Sequence, residues 1–126
     1  MKVVYIAGPY CAQTAWEVEQ NVRNAECWAL AVAQAGAVPL CPHTMNRYFF
    51  GAAGLSDEGF WLPGMLELVG RCDGLLLIPG WEASAGARGE RDRAVKLELP
   101  ILPLGRVAVP RVSPMLVGWI AGIEGA

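Results

Sequence analysis

Four consecutive apolar residues, Leu75-Leu76-Leu77-Ile78, bounded by Gly74 and Pro79, constrain the fold of this chain more than any other feature. A run of that length without alternation reads as a β-strand buried on both faces, although periodicity alone also allows a short buried helix. A turn-rich loop, Pro79 to Gly86, follows and holds Trp81 and Ser84. Beyond it, Ala87 to Leu99 reads as a helix on which Glu90, Ala94 and the nearby Val95 share one face. Ser84 is its expected N-cap, with loop amides open to an anion or a sugar hydroxyl. Glu90 then lies in the first helical turns, near the carboxyl end of the strand, the ligand-binding edge of open α/β sheets. A carboxylate there serves as nucleophile or general base, or more plainly as an acid favouring the helix dipole. Spacing alone leaves both readings open.

The rest of the chain repeats the strand-then-helix order. Val3 to Ala7 is a first strand that runs into a Gly8-Pro9 turn. Thr14 is the N-cap of a long helix, Ala15 to about Ala35, with Trp16, Val22, Cys27, Leu30, Ala31 and Ala35 among its apolar positions, and Gly36 closes it. Ala37 to Leu40 is a second strand, followed by Cys41-Pro42-His43-Thr44. A loop from Met45 to Asp57 carries Tyr48-Phe49-Phe50 and reads as a lid or contact surface. Ser56 caps a short helix through Phe60 and Trp61 that Pro63-Gly64 interrupts, and Met65 to Arg71 resumes it. Pro100 to Leu104 is a fourth strand. Val107 to Val109 reads as an edge strand, and Pro114 to Ile120 as a short helix. Alternation of this kind predicts an α/β fold, a flavodoxin-like or Rossmann-like three-layer sandwich with a mostly parallel sheet of four to five strands. The turns after the first three strands then meet at one sheet edge.

Composition bounds what such a domain does. With 126 residues the chain is one domain, read as a core over residues 1–104 and an apolar tail over 105–126 that packs at an oligomer interface, giving a homodimer or a higher homo-oligomer. Residues are 54% hydrophobic and 17% charged, and a net charge of −2 makes no electrostatic case for duplex nucleic acid. Arg88, Arg91 and Arg93 are offset by Glu90 and Asp92 and read as a solvated helix face. No apolar run reaches the roughly 18 residues of a membrane span. The first residues have no signal-peptide layout, so a cytoplasmic setting with free thiols is expected. Cys11, Cys27, Cys41 and Cys72 show no paired zinc-ligand spacing, and His43 is the single histidine, so neither a metal nor a cofactor is expected. Cys11 follows the first loop, close to where a ligand sits; packing is the default for the other three. The first loop lacks a full dinucleotide fingerprint, and no phosphate-binding GxxxxGK[ST] loop is present.

Three motifs in order, YIAGPY at Tyr5 to Tyr10, PLCPHT at Pro39 to Thr44 and CDGLLLIPGWEASAGARGE at Cys72 to Glu90, resemble the nucleoside 2-deoxyribosyltransferase superfamily. The nearest likeness is to a small branch catalogued only as a domain of unknown function, and it covers roughly residues 1–104. The resemblance implies a flavodoxin-like sheet, homo-oligomers, and cleavage of the N-glycosidic bond of a nucleoside or nucleotide. It implies that Glu90 attacks the anomeric carbon and that Ser84 contacts substrate. Tyr5, Gly8 and Pro9 match the first-strand tyrosine and its turn, and His43 matches a polar side chain that touches base or sugar. Gly86 falls in the Gly-rich context of Glu90, and Tyr10 to Thr14 is the segment for a 5′-phosphate. One position departs from the pattern. Where the superfamily carries an aspartate that assists the proton transfer to the base, eight residues before Asp73, this chain has Met65. Glu67 points roughly the opposite way on a helix; Asp57 and Glu58 are the other stand-ins.

The leading expectation is therefore an N-glycosidase or deoxyribosyltransferase that works through a covalent sugar–Glu90 intermediate. Trp81, Tyr48, Phe49 and Trp61 either stack on the base or belong to the core. A nucleotide-binding protein without turnover is the alternative that Met65 suggests. An assembly protein with a vestigial pocket, its oligomer held by the tail from Val107, is the third.

Overall fold

The computed structural model describes residues 1–49, 51–105 and 114–125. The chain runs β1 (Val3–Ala7), α1 (Ala15–Gln34), β2 (Val38–Leu40), α2 (Pro42–Met45), a π-helical turn (Asp57–Trp61), α3 (Leu62–Val69), β3 (Gly74–Leu77), a 3-10 turn (Trp81–Ala83), α4 (Ala85–Lys96), β4 (Ile101–Pro103) and α5 (Pro114–Glu124). The four strands form one sheet in the order β2-β1-β3-β4, every neighbouring pair parallel. This is the flavodoxin-like arrangement, a three-layer α/β sandwich.

The strands alternate between two apolar layers, which is why the Leu75–Ile78 run has no polar gap. Val4, Ile6, Leu76 and Ile78 face the layer of α1 and α5, with Trp28, Val32, Leu116 and Ile120. Tyr5, Ala7, Leu75 and Leu77 face the other layer, with Val69 and the α4 residues Ala87 and Ala94. At the amino end of the sheet the Asp73 carboxylate accepts the Val3 amide at 2.8 Å, and the Asp73 amide donates to the Val3 carbonyl at 2.8 Å. That pairing sets the register of β1 on β3, Tyr5 beside Leu75.

Several local expectations hold and several are corrected. Thr14 and Ser84 cap α1 and α4 through their hydroxyls, on the amides of Glu17 and Ala87. Ser56 caps on the Gly59 amide. Pro63 does not interrupt the helix beyond it, because it stands in the first turn of α3, where a proline displaces no intrahelical bond. The Met45–Asp57 loop starts later than expected, because Pro42 at the head of α2 plays the same part there. Trp16 and Leu30 lie on the outside of α1, 72% and 59% exposed, and Cys27 is exposed too. Val95 is exposed, so only Ala94 shares the buried side of α4 with Ala87. In the apolar tail, α5 puts Leu116, Ile120 and Ile123 into its own sheet's core and leaves Met115 and Val117 outside. The expected Val107–Val109 strand lies outside the described residues. Among the described residues no helix is long and apolar enough to cross a membrane.

Candidate active site

β1, β2 and β3 deliver their following turns to one edge, and there the chain encloses a cavity of about 700 Å³. A space of that size suits a small molecule of several rings. Two turns set its floor. Gly8 packs so tightly that a Cβ there would stand 2.2 Å from Ile78 Cγ1. Gly80 has φ +92°, which only glycine adopts freely, and lies beside Pro9. The β1 and β3 turns are thus locked together, and the second delivers the chain to the head of α4. Ser84, Gly86 and Ala87 line the cavity from that helix start.

Glu90 enters one turn later, as a cavity-lining carboxylate. Beneath it the fully buried Tyr5 donates its hydroxyl to Glu90 Oε2, across 85 positions of sequence. Burial pushes the Glu90 pKa up to about 7, against the lowering effect of the Tyr5 hydrogen bond. Burial first, and the Glu90 charge second, push the Tyr5 phenol upward, so it stays a donor. At neutral pH this carboxylate is a mixture of forms, desolvated and more basic than a surface glutamate.

His43 is 6% exposed and reaches the same cavity from α2. Its Nε2 lies 2.9 Å from the Pro9 carbonyl, an acceptor only, so Nε2 carries the proton and Nδ1 is an acceptor. Burial holds the ring's pKa below its ordinary value and keeps it neutral. Nδ1 is buried without a partner, and so is the indole nitrogen of Trp61, which also lines the cavity. An unmet buried polar atom costs about 1–3 kcal/mol, which a bound ligand with matching groups recovers. Tyr10 meets the His43 ring edge-on at 5.8 Å.

Of the residues singled out in the sequence, Gly8, Pro9, Tyr10, His43, Ser84, Gly86 and Glu90 line this one cavity, and Tyr5 joins it through Glu90. Trp81 does not. It packs against the α4-side core, with the Arg91 guanidinium 5.3 Å over its ring. Of Trp61, Phe49 and Tyr48, Trp61 is in the wall; Phe49 stacks on it at 6.3 Å, and Tyr48 is 85% exposed. Within the Tyr10–Thr14 segment, Tyr10 and Cys11 line the cavity. Burial and the nearby Asp57 charge raise the Cys11 thiol, away from the reactive thiolate.

Met65 is also in the wall, where Asn46 Nδ2 approaches its sulfur at 3.7 Å. The three stand-in acids separate clearly. Glu67 is on the outside, paired with Arg71 at 3.1 Å; Glu58 and Asp57 are both exposed, but only Asp57 lines the cavity. Asn46 was not foreseen. It stands one turn after His43, a spacing that becomes a signal once α2 is known to be helical. Among the described residues no three His, Cys, Asp or Glu side chains gather so as to hold a metal ion. A family model described as a domain of unknown function (DUF7768) matches residues 2–103. No curated protein matches the chain.

Proposed function

The chain belongs to that family of unknown function, and from this footing we propose that it cleaves the base–sugar bond of a nucleoside or nucleotide, with Glu90 as the nucleophile. One observation carries the reading: a desolvated carboxylate on the wall of a nucleoside-sized cavity, held by a buried tyrosine hydroxyl. A nucleophile needs a fixed direction of attack and a basicity above that of a solvated acid, and Glu90 has both. Ionised Glu90 attacks C1′ through an oxocarbenium-like transition state and the base departs. Water, or a second base, then attacks C1′ and frees the carboxylate. Trp61 supplies a flat apolar wall for the base, and His43 Nδ1 accepts from a ligand hydroxyl or amino group. The likeness to the nucleoside 2-deoxyribosyltransferase superfamily points the same way, and by the same likeness the active form is a homo-oligomer.

Met65 favours a second reading, a nucleotide-binding protein with no turnover, because a thioether moves no proton. One assay separates the two. The protein is incubated with purine and pyrimidine 2′-deoxynucleosides and their 5′-monophosphates, and free base is followed by chromatography. Release of base with at least one of them is the expected result. Binding at micromolar concentration or tighter, with no base freed over a day, would establish the second reading instead.

A further inference from the structure

Resting on the glycosidic reading above, we propose that Asp57 is the group that protonates the departing base, in place of the residue at position 65. Cleaving a C1′–N bond leaves an electron pair on a ring nitrogen, and an unprotonated base is a poor leaving group. A second acid facing the nucleophile is therefore required by the chemistry. Met65 is unable to supply it. Of the carboxylates near this segment, Asp57 alone among the described residues shares the cavity wall with Glu90, and the two come from different elements: Glu90 from α4, Asp57 from the turn that leads into α3. Its place in that wall is fixed locally. The Ser56 hydroxyl accepts the Gly59 amide, and the π-helical turn brings Trp61, four residues on, into the same wall. Asp57 lies close to Tyr10 and Cys11, at the β1 turn that floors the site.

The step balances. A carboxylate oxygen of Glu90 bonds to C1′ as the C1′–N bond breaks, and the electron pair goes to the base nitrogen. Asp57, in its acid form, gives its proton to the base, which leaves neutral. Asp57 then takes a proton from water as the water oxygen bonds to C1′, the C1′–O bond to Glu90 breaks, and both carboxyl groups return to their starting forms.

The test varies the leaving group. Wild type, Asp57→Asn and Glu90→Gln are assayed on 2′-deoxyguanosine beside its 7-methyl derivative, whose base leaves without a proton, and on 2′-deoxyuridine beside its 5-nitro derivative, whose base leaves as a stabilised anion. Asp57→Asn is expected to lower kcat about 100-fold or more on the ordinary nucleoside of a pair and less than about threefold on the activated one, with KM and melting temperature near wild type. Glu90→Gln is expected to fail on both members. Equal loss on both members in Asp57→Asn, or no loss, overturns the assignment of Asp57 while leaving the nucleophile intact. Absence of base release by the wild type from all four compounds and from their 5′-monophosphates overturns the glycosidic reading, and this assignment with it.

Discussion

Glu90→Gln is expected to abolish base release and, at neutral to alkaline pH, to make the folded protein more stable. The glutamine keeps the shape of the side chain and still accepts the Tyr5 hydroxyl, but it carries no nucleophilic charge. A loss of about 10³-fold or more in kcat is the expected scale for removing a nucleophile whose partners remain. The stability gain follows from the desolvation that makes the site work. Glu90 has an ordinary value of 4.5 and is pushed up to about 7 in the folded state, chiefly by burial. A group with a raised folded value binds its proton more tightly in the native protein. Its contribution is fully present below about pH 4.5 and is lost as pH rises through about 7. By pH 8 the ionised carboxylate costs at most about 3 kcal/mol relative to the unfolded chain. Glutamine bears no such cost, so denaturant midpoints of the two proteins should diverge between pH 4.5 and 8, with the variant higher. Wild-type kcat/KM on the 7-methyl nucleoside, whose base leaves without a proton, should rise with pH through about 7 and then level. Equal stability at both ends of that range would mean that Glu90 is solvated and the proposed site is open to water.

Gly8→Ala is expected to destabilise the fold by about 3 kcal/mol. Its methyl group would stand 2.2 Å and 2.6 Å from Ile78 Cγ1 and Cδ1, well inside contact distance, and Ile78 is fully buried between the sheet and α1. Ile78→Ala by itself should also destabilise, by about 2–5 kcal/mol, through the cavity it leaves. The double variant should lose clearly less than the sum of the two, since the alanine at 78 makes room for the new methyl. Urea denaturation of the four proteins measures this coupling. Simple additivity would contradict the close packing of the two turns. Because Gly8 and Pro9 also floor the cavity, any Gly8→Ala protein that folds should bind ligand more weakly.

The sheet was legible because its strands are short apolar runs with turn residues at both ends. Alternation of strands with helices forces those strands to be parallel. Convergence of the turns at one edge follows from that topology, which is how Gly8, His43 and Glu90 are brought to one cavity from positions so far apart. What the sequence hid was mostly a matter of side-chain direction. Trp81 and Trp61 are equally aromatic and both lie near a strand or helix end. One is claimed by the α4-side core and Arg91, the other by the cavity, and no local pattern separates them. Pro63 misled for a related reason: it read as a break, yet it occupies a first turn, where a missing amide is harmless. Asn46 was hidden with α2. The seating of α5 was hidden because nothing in its sequence says that the sheet's α1 side needs a second helix to cover it.

The claim on which the rest depends is that Glu90 becomes covalently bonded to the sugar. A nucleoside with fluorine at the 2′ position of its sugar and an activated base slows formation and breakdown of such an intermediate, and the activated base lets it accumulate. After incubation with this compound, mass spectrometry of the intact protein should find one sugar added per chain. Peptide mapping should put it on Glu90, and Glu90→Gln should remain unmodified. Free base released while the wild-type chain keeps its original mass, or a sugar attached to any other residue, would contradict the account.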